Sequence, residues 1–234
     1  SLARAQAFVE ALRSKRSKLH CSTLLHVRWE TFALEAMDAV LDWLDDEEHP
    51  ILAFNDHTTA VMENNNSRTK LERMAERTGL SVAEFQALVD EVWGRRDLVG
   101  AAVEKMADEG LKRGATLLSH DEPSPEAREY FRKLGAKASE FPLTTDTAWA
   151  ARSADEHVIL GAPNVVRGGS HLGGISAGPA LVDDMCTVLA SDYYYPSMLN
   201  AAFHLANTGA CDLAKAWAAV SEHPSAVAGL HDRG

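Results

Sequence analysis

The sequence has no long apolar run and very few cysteines. No segment approaches the ~20 consecutive apolar residues that a membrane-spanning helix requires, and the N-terminus lacks the apolar region of a secretory signal peptide. The three cysteines are widely spaced and include no Cys-x-x-Cys pair, which is typical of reduced thiols. They are Cys21, Cys186 and Cys211. We therefore expect a cytoplasmic protein that does not bind a membrane.

Positive charge is also scarce. The 234 residues include 23 lysines and arginines against 34 aspartates and glutamates, which gives a formal net charge of −11. Because nucleic-acid binding depends on neutralising phosphates, this balance argues against a nucleic-acid partner. An anionic small molecule would need metal ions or a few local arginines to overcome the negative field.

What the chain does have is a regular alternation of strand and helix patterns. Such alternation indicates a parallel sheet, and the length is close to the ~250 residues of a (β/α)8 barrel. The six predicted strands are residues 24–30, 51–57, 115–120, 137–142, 157–164 and 187–192. A closed barrel has eight. We therefore predict one α/β domain over residues 1–234, a TIM-type (β/α)8 barrel that is incomplete at its N-terminus and has the later six strands.

The longest connection, roughly residues 58–114, lies between the second and third predicted strands. One helix in it begins with a capping-box pattern, Ser81 followed by Glu84. An insertion at the carboxyl end of a barrel strand lies beside the active face. We expect a helical insertion that forms a lid or a substrate wall.

Four of the predicted strands end in a potential metal ligand: Glu30, His57, His120 and Asp192. Parallel strands that close on one another bring their carboxyl ends to one rim, so these side chains are expected to converge. Mixed carboxylate and imidazole ligands suit Zn²⁺, with Mn²⁺ and Fe²⁺ as alternatives. The pattern predicts a metal-dependent enzyme with one or two divalent ions.

The first predicted strand carries polar residues at alternate positions, His26, Arg28 and Glu30. Since helices cover the apolar face of such a sheet, the polar face is expected to point into the barrel. Polar groups there are unfavourable unless they serve a site or satisfy one another. We predict functional roles for Arg28 and Glu30, and either a functional or a structural role for His26.

Three segments carry a resemblance to a known family: SHDEPSPEAREYFRKLGAKASEFP, GAPNVVRGGSHLGG and LASDYYYPSML. They resemble the diphosphatases of bacterial phosphonate breakdown, in the amidohydrolase superfamily. The resemblance implies a (β/α)8 barrel whose metal centre releases pyrophosphate from a ribose triphosphate ester. The small-molecule partner that the resemblance implies for this chain is a phosphorylated ribose substrate. Superfamily members carry a His-x-His or His-x-Asp pair on the first strand, and this sequence has no such pair. We therefore expect the first two strands to be absent from it.

The resemblance also implies roles for the four strand-end residues. Glu30 takes the position of the acidic group that bridges two metals, and His57 and His120 ligate one of them. Asp192 touches a metal and accepts the proton of the attacking water. These roles make Asp192 the expected catalytic residue.

The glycine-rich segment 165–174 is predicted to bind phosphate. Glycines allow a backbone to approach an anion closely, and an arginine such as Arg167 can hold a phosphate with two hydrogen bonds. His171 lies in the same segment, and Asn164, at the end of the preceding predicted strand, is expected to orient the substrate. Arg28 is expected either to contact phosphate or to pair with Glu30.

Asp56 and Asp121 are adjacent to two of the expected ligands. Successive residues on a strand face opposite ways, so we expect both either to support a neighbouring ligand or to have structural roles, and Asp121 could cap the next helix.

Three functions agree with these features. One is the diphosphatase. Another is an amidohydrolase that cleaves an amide, a lactone or an aminated ring at the same metals. The last is a non-catalytic, truncated barrel. If the first two strands are absent, the strands that bear Glu30 and Asp192 are open edges, and we expect the protein to aggregate or to fill the gap with another chain, for example in a homo-oligomer.

Overall fold

A computed structural model describes residues 2–63, 72, 74–76, 78–169 and 173–233. Within them lies one sheet of six parallel strands, whose spatial order follows the chain order from first to last. The strands are β1 (His26–Glu30), β2 (Ile51–Asn55), β3 (Thr116–His120), β4 (Ala136–Glu140), β5 (His157–Gly161) and β6 (Val188–Ala190). Sequential order with parallel pairing is the topology of a (β/α) barrel.

Helices alternate with these strands. Before β2 lie α1 (Leu2–Lys15) and α2 (Met37–Asp45), with 3₁₀ turns at Arg16–Lys18 and Leu34–Ala36. Between β2 and β3 lie α3 (His57–Glu63), α4 (Val82–Trp93) and α5 (Arg96–Lys112). The later helices are α6 (Pro125–Lys133), α7 (Thr145–Arg152), α8 (Ala162–Arg167), α9 (Ala177–Val182), α10 (Ser197–Asn207), α11 (Leu213–Ala218) and α12 (Glu222–Val227).

Between β2 and β3 the described residues form helices α3, α4 and α5, and the predicted lid or substrate wall stays a prediction. Helix α4 begins at the predicted capping box, in which the Ser81 hydroxyl accepts from the Glu84 N–H and the Glu84 carboxylate accepts from the Ser81 N–H. Each reciprocal bond satisfies a donor that the first turn of a helix would otherwise leave unpaired.

The two faces of the sheet differ as the alternation predicts. Val27, Trp29, Leu52, Phe54 and Leu117 are buried on the outer face, against α2, α5 and their neighbours. The inner face has a small apolar core of Ala53, Leu118, Ala138, Ile159 and Val188. Above this core, toward the carboxyl ends of the strands, the inner face becomes polar.

The sheet is strongly curled. Neighbouring strands are spaced about 4.8 Å apart, so in a flat sheet β1 and β4 would be about 14 Å apart. His26 Nε2 on β1 nevertheless lies 3.8 Å from Glu140 Oε2 on β4. Arg28 on β1 and Asp192 after β6 also line one cavity. Within the described residues β1 and β6 do not pair, so the closed eight-stranded barrel stays a prediction.

Several strands end earlier than predicted, and the clearest case is the fifth. It ends at Gly161, and the next residues form α8, with Pro163 in its first turn. Proline suits the first turn of a helix because its missing N–H is not needed there. The prediction that Asn164 ends a strand is therefore wrong, and Arg167 is the last residue of a helix rather than part of a loop.

Within the described part of the chain, no helix is both long enough and apolar enough to cross a membrane.

Candidate active site

The carboxyl ends of four strands form one row of polar side chains. The pairing register aligns Glu30 with Asn55, Asn55 with His120, and His120 with Glu140. Two predicted ligands, Glu30 and His120, thus end their strands as expected. His57 is instead the first residue of α3, and Asp192 lies two residues beyond β6. All four remain on the same edge of the sheet.

Glu30 and His57 are in direct contact. His57 Nδ1 lies 2.7 Å from Glu30 Oε1, and the Asn55 amide donates to the same oxygen at 2.8 Å. Burial is the largest single influence on Glu30 and would raise its pKa, but the hydrogen bonds and charge of His57, together with the charge of Arg28, leave the pKa lowered. The same hydrogen bond raises the pKa of His57, helped by the charges of Glu30 and Asp121.

Asp121 connects the two histidines, so the prediction that it faces away from them is wrong, whereas its expected role of supporting a neighbouring ligand stays a prediction. Its Oδ2 lies 3.6 Å from His57 Nε2 and 3.2 Å from His120 Nδ1. The alternation rule fails because Asp121 has a φ of 58°. This left-handed conformation is uncommon outside glycine, although aspartate tolerates it, and it brings two successive side chains to one side. Helix α6 is capped by Ser124 instead.

Arg28 contacts His120 rather than Glu30. Its Nη1 lies 2.9 Å from His120 Nε2. A guanidinium can only donate, so Nε2 accepts, and the neutral ring carries its proton on Nδ1. That proton faces Asp121, yet the contact lacks hydrogen-bond geometry, and Nδ1 is buried without a hydrogen-bond partner.

Glu140 is a site residue that the sequence prediction missed. It is buried, its Oε2 has no hydrogen-bond partner, and that oxygen lies 3.8 Å from both His26 Nε2 and His120 Nε2. The signal was present, because Glu140 ends β4 as Glu30 ends β1. His26 also belongs to this polar group, because it lies beside Glu140.

The donor chemistry of this edge fits a divalent cation, but the side chains are now engaged with one another. Among the described residues, no three His, Cys, Asp or Glu side chains are arranged to hold a metal ion. In favour of a cation is the buried, unpartnered oxygen Glu140 Oε2, since such an atom is unfavourable without a partner. Binding would require Glu30 and His57 to separate. The zinc, manganese or iron site stays a prediction.

A cavity of about 450 Å³ opens beside His120, and we call it the rim cavity. It is lined by Arg28, His120, Asp121, Phe141, Pro142, Leu143, Leu160, Gly161, Asn164, Arg167, Gly173, Gly174, Ile175 and Asp192. Glu30 and His57 do not line it. The four expected ligands therefore form two groups, with Asp192 and His120 at the rim cavity and Glu30 and His57 beside it.

The expected substrate-binding residues have different surroundings. The Arg167 guanidinium lies 5.6 Å from the ring centre of Tyr193, a distance at which a cation is attracted to the ring face. The Asn164 amide donates to the Ile175 carbonyl and accepts from the Ala177 N–H, so it holds the wall of the rim cavity in place. His171 lies outside the described residues.

Phe141 supports His120 from a strained position. Its ring centre lies 5.3 Å from that of His120, and its φ is 54°. A bulky residue at positive φ is a genuine outlier, of the kind that clusters at functional sites. Asp121, Phe141 and Asp192 all have this conformation just beyond a strand, so backbone strain recurs around the rim cavity.

A buried ion pair lies behind the site, on the outer face of the sheet. Glu122 accepts from the hydroxyls of Ser119 and Ser139, and from Arg128 Nη1 at 2.9 Å. Arg128 also donates to the carbonyls of Ala136 and Ala138. These two carbonyls lie on either side of an irregularity in the pairing register of β3 with β4. The ion pair therefore holds β3 and β4 together behind His120 and Glu140.

We predict that His57 in the metal-free chain titrates above its ordinary value of 6.5. Because the folded-state pKa is raised, the His57–Glu30 contact contributes its full stability below pH 6.5 and loses it as the pH rises through the raised pKa. An NMR titration of the ring in the presence of a chelator measures it, and Glu30→Gln should lower the midpoint. His49 is the control, because it lies just before β2 begins, at the edge of the sheet opposite the site. A midpoint unaffected by Glu30→Gln would contradict the contact.

Comparison with known proteins gives one informative similarity, while no family model matches the chain. Over 124 residues, 52% of this chain, the sequence is 37% identical to the alpha-D-ribose 1-methylphosphonate 5-triphosphate diphosphatase of Escherichia coli (strain K12). The matched region spans 33% of that protein's length, so the chain covers only about a third of the curated relative. The resemblance seen in the three sequence segments is thus confirmed.

Proposed function

We propose that this chain forms part of a metal-dependent hydrolase that releases pyrophosphate from a ribose 5-triphosphate ester. The supporting observation is the rim cavity, where two arginines, Arg28 and Arg167, share the wall with His120 and Asp192. Such a wall combines groups that attract phosphate with groups that accept protons. The name of the E. coli relative describes a diphosphatase. The substrate that we propose is the ester in that name.

In the proposed reaction a water oxygen attacks the α-phosphorus. The bond from that phosphorus to the oxygen leading to the β-phosphorus breaks, and pyrophosphate leaves with its electron pair. The Asp192 carboxylate accepts the proton of the water, as a general base within reach of the cavity. Arg167 is placed to stabilise the charge that develops on pyrophosphate, and Arg28 neutralises charge near His120.

The residues that would hold the metal are Glu30, His57, His120 and Asp192, with Asp121 and Glu140 as further oxygen donors. When bound, a divalent ion lowers the pKa of its water to about 7 and neutralises phosphate charge. Arg28 donates to His120 Nε2 in the present structure, so use of that nitrogen as a ligand requires Arg28 to move toward the substrate.

Because the chain has a net charge of −11, attraction of a triphosphate depends on local cations. Arg167→Ala should lower kcat/KM for the triphosphate ester roughly 10- to 150-fold, the effect of losing about 1.5–3 kcal/mol from one charge-assisted contact. Metal content, measured by elemental analysis, should not change.

The matched control is Arg96→Ala. Arg96 also lies over an aromatic ring, 5.8 Å from the centre of Trp93, but it does not line the rim cavity. Its replacement should leave kcat/KM unchanged. Equal activity of the Arg167→Ala and native proteins would argue against triphosphate binding at this wall and favour hydrolysis of an amide, a lactone or an aminated ring.

A further inference from the structure

A second cavity lies on the other side of His120 and Asp121, and we call it the side cavity. Its volume is about 400 Å³. It is bounded by the carboxyl ends of β2 and β3 and by helices α3, α5 and α6. His120, Asp121 and Leu143 line both this cavity and the rim cavity. The two cavities therefore adjoin at these three residues.

The side cavity has an apolar, aromatic lining. Phe54 and Val103 are buried at its floor, and Gly100 and Tyr130 are exposed. The rings of Phe54 and Phe131 stack with their centres 5.6 Å apart. Aromatic walls favour an aromatic occupant, because offset-stacked and edge-to-face pairs gain energy beyond their area.

The size of the side cavity excludes a very small occupant. One water molecule takes about 30 Å³ of liquid volume, so about 400 Å³ corresponds to roughly a dozen waters. A methyl group, such as the one in the name of the E. coli relative, would leave most of this apolar space unfilled. A ring system fits the volume better.

The polar groups of the lining indicate which kind of ring. Asp56 and Asp121 contribute carboxylates, and the described lining includes neither lysine nor arginine. Thr31, at 2% exposure, has a hydroxyl without a hydrogen-bond partner. Carboxylates accept hydrogen bonds, so this lining suits a ring with N–H donors.

We propose that the side cavity binds an aromatic ring with amino substituents, such as adenine, carried by a ligand whose phosphates lie in the rim cavity. That ligand is then a nucleoside triphosphate, a second ligand that would compete with the proposed ribose ester for the rim cavity. The part that concerns the phosphates rests on the proposed function. The part that concerns the ring does not, because the side cavity has its own lining.

Gly100 offers a way to block the side cavity without damaging the fold. It lies inside α5, and a Cβ added there would meet no heavy atom within 4 Å. Replacing a helical glycine with leucine also favours the helix. Gly100→Leu should therefore fill the cavity while leaving the thermal unfolding midpoint equal or higher. Ala101→Leu adds the same side chain to the next position of α5, which is exposed and outside the cavity lining.

The experiment is isothermal titration calorimetry with two separate probes, adenosine and inorganic tripolyphosphate. We expect the native chain and Ala101→Leu to bind adenosine, and Gly100→Leu to bind it at least tenfold more weakly. Tripolyphosphate affinity should be the same for all three. No binding of adenosine to the native chain, or equal binding to Gly100→Leu, would overturn the proposal.

The two probes separate the two proposals. If tripolyphosphate does not bind but adenosine binds and is lost in Gly100→Leu, the ring site stands and the phosphate role of the rim cavity fails. If tripolyphosphate binds and adenosine does not, the proposed function stands and the ring site is wrong.

Discussion

Replacement of Arg128 with methionine is expected to destabilise the fold by about 3–5 kcal/mol, the usual effect of removing one partner from a buried ion pair. Arg128 is 0% exposed and Glu122 is 1% exposed. Burial raises the pKa of Glu122, against the pull of Arg128 and the two serine hydroxyls. Without Arg128 the carboxylate and the carbonyls of Ala136 and Ala138 would lose buried donors. Urea unfolding measures the loss.

Arg132→Met is the matched control for this experiment. Arg128 Nε and Arg132 Nε each lie 2.8 Å from the Glu156 carboxylate, but Arg132 is the more exposed of the two. Removing Arg132 leaves Glu156 paired with Arg128, so the loss of stability should be smaller than for Arg128→Met. The double variant Arg128→Met/Glu122→Gln should recover part of the stability, because it leaves no unpaired buried charge. A loss below about 1 kcal/mol for Arg128→Met alone would show that the buried pair does not stabilise the junction of β3 and β4.

Replacement of Asp192 with asparagine is expected to lower kcat for triphosphate hydrolysis by about 10²–10⁴-fold, the contribution typical of a general base. The loss should persist at saturating substrate, since the amide cannot accept the proton of water. Asparagine tolerates a positive φ as aspartate does, and Asp192 has a φ of 50°. The backbone conformation should therefore survive, which a thermal melt checks.

Asp155→Asn is the control for charge and conformation. Asp155 also has a positive φ, 62°, but it is exposed. It lies between α7 and the start of β5, at the edge of the sheet opposite the candidate site. Its replacement should leave kcat unchanged. If Asp192→Asn keeps native turnover, Asp192 is not the proton acceptor, and Asp121 or Glu140 becomes the candidate.

The parallel sheet and its polar inner face could be predicted because they depend on local periodicity. His26, Arg28 and Glu30 alternate with buried Val27 and Trp29, and this alternation by itself gives the direction of each side chain. The parallel direction of the strands also led to the correct prediction that their carboxyl ends share one edge of the sheet. The ends of the strands could not be predicted in this way, because an apolar residue such as Leu160 suits a strand and a helix equally well. A local signal for the end of β5 is Pro163, in the first turn of α8.

The parts that could not be predicted depend on single backbone angles and on contacts between distant segments. Asp121 reaches the site because one left-handed residue reverses the alternation, and the sequence around it contains no glycine to signal a turn. The Glu122–Arg128 pair looks like ordinary polar surface in the sequence. It is buried because Ser119, Ser139 and two carbonyls together satisfy both charges.

The measurement that tests the proposed function most directly is ³¹P NMR of the reaction of α-D-ribose 1-methylphosphonate 5-triphosphate in ¹⁸O-labelled water. Attack at the α-phosphorus predicts unlabelled pyrophosphate and a sugar 5-phosphate that carries one ¹⁸O. Label in pyrophosphate would place the attack at the β-phosphorus, and release of single phosphate would place it at the γ-phosphorus. Label in pyrophosphate would contradict attack at the α-phosphorus, and release of single phosphate, or no hydrolysis with divalent metal present, would contradict the proposed diphosphatase.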